Sequence, residues 1–515
     1  MAKTKPTPSP SVPNPRYLRR IPSPAIVAQD AVRRFPRWAL LLLCALYVVA
    51  GFIGREPWKS ADLAGFGLLF EVIGTSDSAW VVARVAAAAL LALTLVTTWY
   101  ATYYLARRDA AQPVPFAFGG EAKPTDYARA VADGAILALI ACLGLAQLSH
   151  ETTPALLQMA LVGLVFFGLS CFRYHPLESA CALLLAVPSL YFVLKTAIKL
   201  DDAPWFALTT WRHAAHMLVW FAWPAWALAL LALAKWRRHW LCSHPSSHIV
   251  IPFSFVVIHL LGLPVVMQQD RWFLSALPAL ACLAAFALPT LRRNMKSLID
   301  LFTLLFFSGC ALVIWTVWLA MQTGVPPQAA ANVARLAPLF TPSLSMTALA
   351  LALASTGVWV WLVTWRLGKH RPAIWMSMVL PAGGAALCWL LLMSLWLPLL
   401  DHARSYKPLM SNLGVILKNA ESTNPPLTAF QLTARGCIQT HALSSAQNAA
   451  LRYYLDRQLI DANRGATCNW LIADASAKSN LPEYVTLQDW QLMTTLRRPT
   501  DDNEDWLIYR RLGND

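Results

Sequence analysis

The stretch Gly54-Arg55-Glu56-Pro57-Trp58-Lys59-Ser60-Ala61-Asp62 follows directly on the first long apolar segment of the chain. A charged segment with Pro and Trp at that place leaves a bilayer at headgroup depth. There Trp58 sits at the interface and Arg55 and Lys59 meet lipid phosphates. Asp62 opens the apolar run 63–70, which is too short to span and suits a helix lying on the membrane surface. A carboxylate at the interface beside two cations is what chemistry on a lipid-linked phosphate requires. The same residue types mark ordinary membrane borders, so a plain re-entry loop with interfacial anchors stays open.

Composition fixes the broad class. With 57% apolar and 13% charged residues over 515, a soluble core is implausible, and repeated apolar runs of about 20 residues predict a polytopic membrane protein. The net charge of +15 lies mainly at span ends and in the N-terminal tail. That distribution is a topology signal, so no nucleic-acid partner is expected.

Residues 1–37 form a basic, proline-containing tail with no cleavage site behind a short apolar core, expected to lie on anionic lipid in the cytoplasm. About eleven spans follow, at 38–54, 79–105, 126–148, 153–172, 177–198, 213–234, 249–268, 272–291, 300–322, 343–365 and 374–399. With the tail inside, the inner loops carry Arg107 and Arg108, Arg173, Lys235, Arg237 and Arg238, Arg292, Arg293 and Lys296, and Arg366, Lys369 and Arg371. The outer loops carry Glu56, Asp62, Glu71 and Asp77, then Glu151, Asp201 and Asp202, and Asp270 with Arg271. This alternation follows the positive-inside rule and places the residues after the last span outside.

The chain thus divides into the tail, an all-α membrane domain over 38–399 with its first external loop at 55–78, and an external domain over 400–515. In the last, 429–434 and 468–473 read as strands, Ser445 to Arg457 as a helix, and 490–496 and 505–511 as further strands, giving a small α/β unit. Eight of ten cysteines lie in or beside spans as small buried hydrophobes. Only Cys437 and Cys468 lie outside, where a disulfide is chemically allowed.

Together the basic tail, the first span, an acid in the first external loop and a small α/β domain after many spans resemble the GT-C membrane glycosyltransferases. The closer resemblance is to glycosyltransferase family 39, which holds protein O-mannosyltransferases and the aminoarabinose transferase of lipid A. Gly54 to Gly67 resembles the family's first-loop motif of an acid followed by a short surface helix. The segment Asp270-Arg271-Trp272-Phe273-Leu274-Ser275-Ala276-Leu277-Pro278-Ala279-Leu280 resembles its later motif, a basic residue running into a Leu-Pro-rich span. Asp401-His402-Ala403-Arg404-Ser405-Tyr406, Leu451-Arg452-Tyr453-Tyr454 and Cys468-Asn469-Trp470-Leu471 resemble segments of bacterial members. The first-loop motif is degenerate: one acid stands where two adjacent ones are usual, and residues 74–78 run straight into the next span.

The resemblance implies transfer of a sugar from a polyprenyl-phosphate donor to a lipid or protein acceptor at the outer face of a bacterial inner membrane, with the C-terminal domain periplasmic. The degenerate motif leaves open a non-catalytic member acting as a lipid-binding or envelope-assembly subunit. A transporter or flippase is disfavoured, because no paired Gly/Pro-broken spans recur in two matching halves.

Asp62 is the expected carboxylate, although Asp is also a favoured cap for the surface helix. Glu151 is a second acid, or a helix-start acid placed by the dipole. Arg55, Lys59, Arg84 and Arg271 are expected at the phosphate. No cofactor is indicated beyond a divalent metal ion that the carboxylate could hold. Asp133 is expected to pair with Arg129, and His259 to be a packing residue.

Overall fold

The computed structural model describes residues 23–33, 35–58, 77–115, 120–197, 208–241, 245–266, 268–368, 373–422, 437–455, 457–462, 468–476, 490–498, 500 and 504–512. Asp62, Lys59 and the expected strand at 429–434 lie outside these residues.

All eleven apolar segments contain helices, but they are not equal. Among the described residues, seven are long and apolar enough to cross a membrane: Trp80–Ala106, Pro154–Cys171, Pro176–Lys195, Ser247–Val265, Arg293–Thr323, Met346–Gly368 and Ile374–Leu395. A further pair, Trp211–Phe221 and Ala225–Lys235, is bent by 98° and brings the number to eight if it is counted as one broken span. The remaining segments are realised as shorter or interrupted helices, which is where the expectation of eleven spans needs correction. We number the helices α1 (Arg37–Ala50), α2 (Asp77–Ala106), α3 (Pro124–Ala141), α4 (Leu143–Leu148), α5 (Pro154–Cys171), α6 (Pro176–Ala197), α7 (Leu208–Phe221), α8 (Ala225–Lys235), α9 (Arg237–Trp240), α10 (Ser247–Gly262), α11 (Gln269–Leu274) and α12 (Leu277–Ala287). Then come α13 (Arg293–Thr323), α14 (Pro327–Leu336), α15 (Met346–Gly368), α16 (Val379–Leu395), α17 (Leu397–Arg404), α18 (Lys407–Ser422) and α19 (Ser445–Leu455).

The interruptions compensate one another. Where α3 breaks before α4, the Leu143 N–H donates to the Trp223 carbonyl, in the break between α7 and α8, at 3.3 Å. Backbone groups freed inside a membrane need such partners, so two broken segments facing each other are a stable solution. A hydropathy window registers only the apolar count and passes over both breaks. The helices are also unequally buried. The Ala-rich α12 is buried at every residue, its small side chains letting neighbours approach closely. The most apolar stretch of Ile374–Leu395, the span that ends in α16, is 78% buried, against 11% for α6 and α15, so α12 and α16 form the interior and α6 and α15 face lipid.

Asp133 corrects another expectation. It accepts a 2.8 Å hydrogen bond from the Trp99 indole rather than pairing with Arg129, which lies 3.8 Å from Asp126. His259 is the packing residue expected, its Nδ1 2.7 Å from the Phe255 carbonyl and its ring against Trp272.

After the last helix comes a five-stranded sheet, β1 (Cys437–His441), β2 (Gln458–Asp461), β3 (Trp470–Asp474), β4 (Trp490–Arg497) and β5 (Asp505–Arg511), in the order β2-β1-β3-β5-β4. The first three are parallel, with α19 crossing between β1 and β2, and the remaining pairings are antiparallel. Cys437 and Cys468 form a disulfide tying the start of β1 to the residues ahead of β3, with Cα atoms 5.3 Å apart. Trp80 and Ala83 of α2 belong to the same buried cluster as Tyr406, Leu413, Ile438 and Trp506, so the domain is packed onto the membrane helices through a shared core.

Candidate active site at the membrane border

The site begins where α1 ends. Gly51 allows the chain to pass against the His150 ring, because a Cβ there would overlap that ring. Gly54, at φ +72°, turns the backbone so that Arg55 points back into the protein, only 2% exposed. Arg84, about two turns into α2, donates from Nη1 to the Phe52 carbonyl at 2.9 Å and to the Arg55 carbonyl at 3.2 Å. Its expected phosphate role therefore meets a different placement: it fixes the first loop and lies 5.0 Å from the Trp80 ring.

His150 lies just beyond α4. Its Nε2 is 2.9 Å from the Tyr47 carbonyl and its Nδ1 3.0 Å from the Ala146 carbonyl, and its ring packs against Phe52 and Trp389. Burial above all, with the Arg55 charge adding to it, lowers its pKa to about 4, so it is neutral at physiological pH. The adjacent Glu151 is 6% exposed and forms a 3.2 Å ion pair with Arg271 of α11. Arg271 also donates to Gln268 at 2.8 Å. Two sequence-predicted residues thus meet, drawn from loops 120 positions apart.

The other wall comes from the C-terminal part of the chain. The Trp58 indole donates to Asp401 Oδ1 at 2.8 Å, and the Glu56 N–H reaches the same oxygen at 3.3 Å. Trp58 lies between two guanidinium groups, Arg55 at 4.5 Å and Arg404 at 4.8 Å from its ring centre, an arrangement attractive through the ring quadrupole. Glu56 is held by Lys407 Nζ at 2.7 Å and by the Tyr454 hydroxyl at 3.5 Å. Burial raises the Asp401 pKa to about 6, partly offset by the hydrogen bonds from Trp58 and Glu56. Asp401, Arg404 and Tyr454 were not among the sequence-predicted site residues. The signal was present only as their place in the quoted segments 401–406 and 451–454, which gave them no role.

The result is a border site with Arg55 reaching both His150 and Asp401 electrostatically, an acid–base pair in Glu151 and Arg271, and aromatic walls from Trp58 and Trp389. Among the described residues, no group of three or more His, Cys, Asp and Glu side chains gathers as metal ligands.

Neither a family model nor any curated protein matches the chain in sequence. Among solved structures, ArnT from Cupriavidus metallidurans bound to undecaprenyl phosphate aligns over 92% of this chain and 98% of its own, with a TM-score of 0.50 and 12% identity. The chain has the ArnT fold. The apo state of that ArnT aligns over 94% of each chain at 11% identity, with a TM-score of 0.46. The expected polytopic architecture with a small C-terminal α/β domain is therefore borne out, and the likeness to ArnT runs through both parts. At 12% identity the shared fold is carried by helix arrangement rather than by extended motifs.

Proposed function

We propose that the protein is a membrane glycosyltransferase that moves a sugar from a polyprenyl-phosphate donor to a lipid acceptor at the outer face of a bacterial inner membrane. The observation that carries this reading is an ArnT fold over nearly the whole chain, ArnT itself having been solved with undecaprenyl phosphate. The ion pair of Glu151 and Arg271, next to His150, which the Arg55 charge reaches, supports it, since such a donor presents its phosphate at the membrane border.

In the reaction the acceptor hydroxyl loses its proton to a carboxylate and attacks the anomeric carbon of the donor sugar. The bond from that carbon to the phosphate oxygen breaks, and polyprenyl phosphate leaves with the bonding pair. Asp62 is the proposed base. Arg271 and Arg55, with Lys59, stabilise the departing phosphate. Glu151 orients Arg271 in the resting site and is next in line as the base.

The test is Asp62→Asn in purified protein assayed with a polyprenyl-phosphate sugar and a lipid acceptor. Loss of at least about a hundredfold in rate, with membrane insertion intact, is the expected result. Asn caps a helix as well as Asp, so a fully active variant leaves Asp62 a structural cap and moves the chemistry elsewhere. If Asp62→Asn and Glu151→Gln both leave turnover unchanged, the catalytic assignment fails.

A further inference from the structure

At the opposite end of the bundle lies a charged cavity that the proposed transfer does not use. The membrane-spanning α16 runs from Leu380, at this cavity, toward α17 and Asp401 of the candidate active site, so this end faces the other leaflet. The cavity, of about 740 Å3, is lined by Arg293, Lys296 and Asp300 of α13 and by Arg366 near the end of α15. That size falls within the ~300–1,000 Å3 of small-molecule sites.

Three cations face one carboxylate here. Arg366 Nη2 donates to Asp300 Oδ2 at 2.6 Å. The ion pair is incompletely satisfied, because Arg366 Nε and Asp300 Oδ1 are buried without a hydrogen-bond partner. A wall with three cations to one carboxylate suits an anion that accepts several hydrogen bonds, as a phosphate does. The rest of the lining shows where that phosphate comes from. Leu301 and Leu367 border the cavity and are 54% and 58% exposed, on helices whose outer faces meet lipid. The opening thus joins a cationic floor to an apolar surface.

We propose that this cavity binds the phosphate head of an anionic lipid from the leaflet opposite the candidate active site, the inner leaflet in the proposed orientation. The chains of the lipid lie over Leu301 and Leu367. The site holds whether or not the protein transfers sugar.

The test uses full-length protein in neutral detergent, titrated with phosphatidylglycerol or phosphatidylcholine, with bound lipid counted by native mass spectrometry. Phosphatidylglycerol should bind selectively. Arg293→Gln with Lys296→Gln should weaken it about tenfold or more, as expected for removing two charges beside a phosphate. Asp300→Asn should tighten it, which a merely damaged protein would not do. Arg237→Gln with Arg238→Gln, in another basic segment outside the cavity, should bind as the parent does. If the double variant loses its helical circular dichroism, Lys296→Gln alone carries the comparison. Unchanged retention by the cavity variants, or equal loss in the Arg237/Arg238 variant, overturns the assignment. So does displacement of phosphatidylglycerol by millimolar inorganic phosphate, which would make this a site for a soluble anion.

Discussion

The indole N–H of Trp58 donates to Asp401 Oδ1 across 2.8 Å, joining the first loop to the helix that follows the last membrane segment. Trp58→Phe keeps a ring between Arg55 and Arg404 but removes the donor and leaves Asp401 short of a partner. The Glu56 N–H remains on the same oxygen, so the loss is that of one hydrogen bond to a charged group, about 1.5–3 kcal/mol. Thermal unfolding in detergent should show a lowered midpoint, and transfer activity should fall with it, because the loop then loses its register with the C-terminal wall.

Asp401 also gives a signed dependence on pH. Its proton is held more tightly in the folded protein, with a pKa of about 6 against an ordinary 3.8. The folded state therefore binds more protons in that window, and stability falls as pH rises from about 3.8 to about 6, then levels off. Asp401→Asn, which keeps an acceptor oxygen for Trp58, should flatten that part of the profile. An unfolding midpoint with the same slope between pH 4 and 6 in parent and variant would assign the effect to other groups.

Glu151 and Arg271 form a largely buried pair, so removing one partner leaves a charge uncompensated. Arg271→Ala should destabilise by about 3–5 kcal/mol, and Glu151→Gln with Arg271→Gln by less than either single change. Kinetics separate the roles. Arg271→Gln should raise the donor KM as well as lowering kcat; Glu151→Gln should do the same to a smaller degree if Glu151 only orients the arginine, and should lower kcat with KM spared if it is the base.

The Cys437–Cys468 bridge closes a 31-residue separation between neighbouring strands. Cys437→Ser should destabilise the C-terminal domain by about 2–4 kcal/mol while the membrane helices still insert, since insertion rests on hydrophobicity. Alkylation of the parent should modify both thiols only after reduction. Limited proteolysis of the variant should begin in the C-terminal domain.

The expected topology places residue 1 and residue 515 on opposite faces, as the positive-inside alternation requires. Arg33 of the tail accepts from Trp375 at the Arg293 end of the bundle, whereas Lys407 meets Glu56 at the other. A C-terminal reporter active only in the cytoplasm would overturn the orientation.

What could be read from the sequence follows from the range of each signal. Apolar length and loop charge act along the chain, so the span positions, the C-terminal domain and its β3, β4 and β5 were legible. Breaks such as Ala222-Trp223-Pro224 were not, because what makes them tolerable is a partner at Leu143. At the site, Arg55, Glu151 and Arg271 stood out as charges at span ends, and Glu151 and Arg271 do meet. Arg84 stood out as an arginine inside the second span and holds carbonyls of the first loop. Asp401 stood out only as part of a resembling segment, with no role attached. Its importance comes from Trp58, 343 residues away, and no local pattern carries that distance.

That distance also orders the protein's biosynthesis. Glu56 and Trp58 leave the ribosome long before Asp401, Lys407 and Tyr454, and Trp80 waits equally long for Ile438 and Trp506 to cover it. The border site of a nascent chain therefore stays open until the last fifth of the polypeptide has been made and exported. Chains stalled at residue 400 should leave Trp58 and Trp80 reactive toward an indole-directed label, and released full-length chains should protect both. A chain built this way completes its border site only as a finished molecule, never as a fragment still being threaded into the membrane.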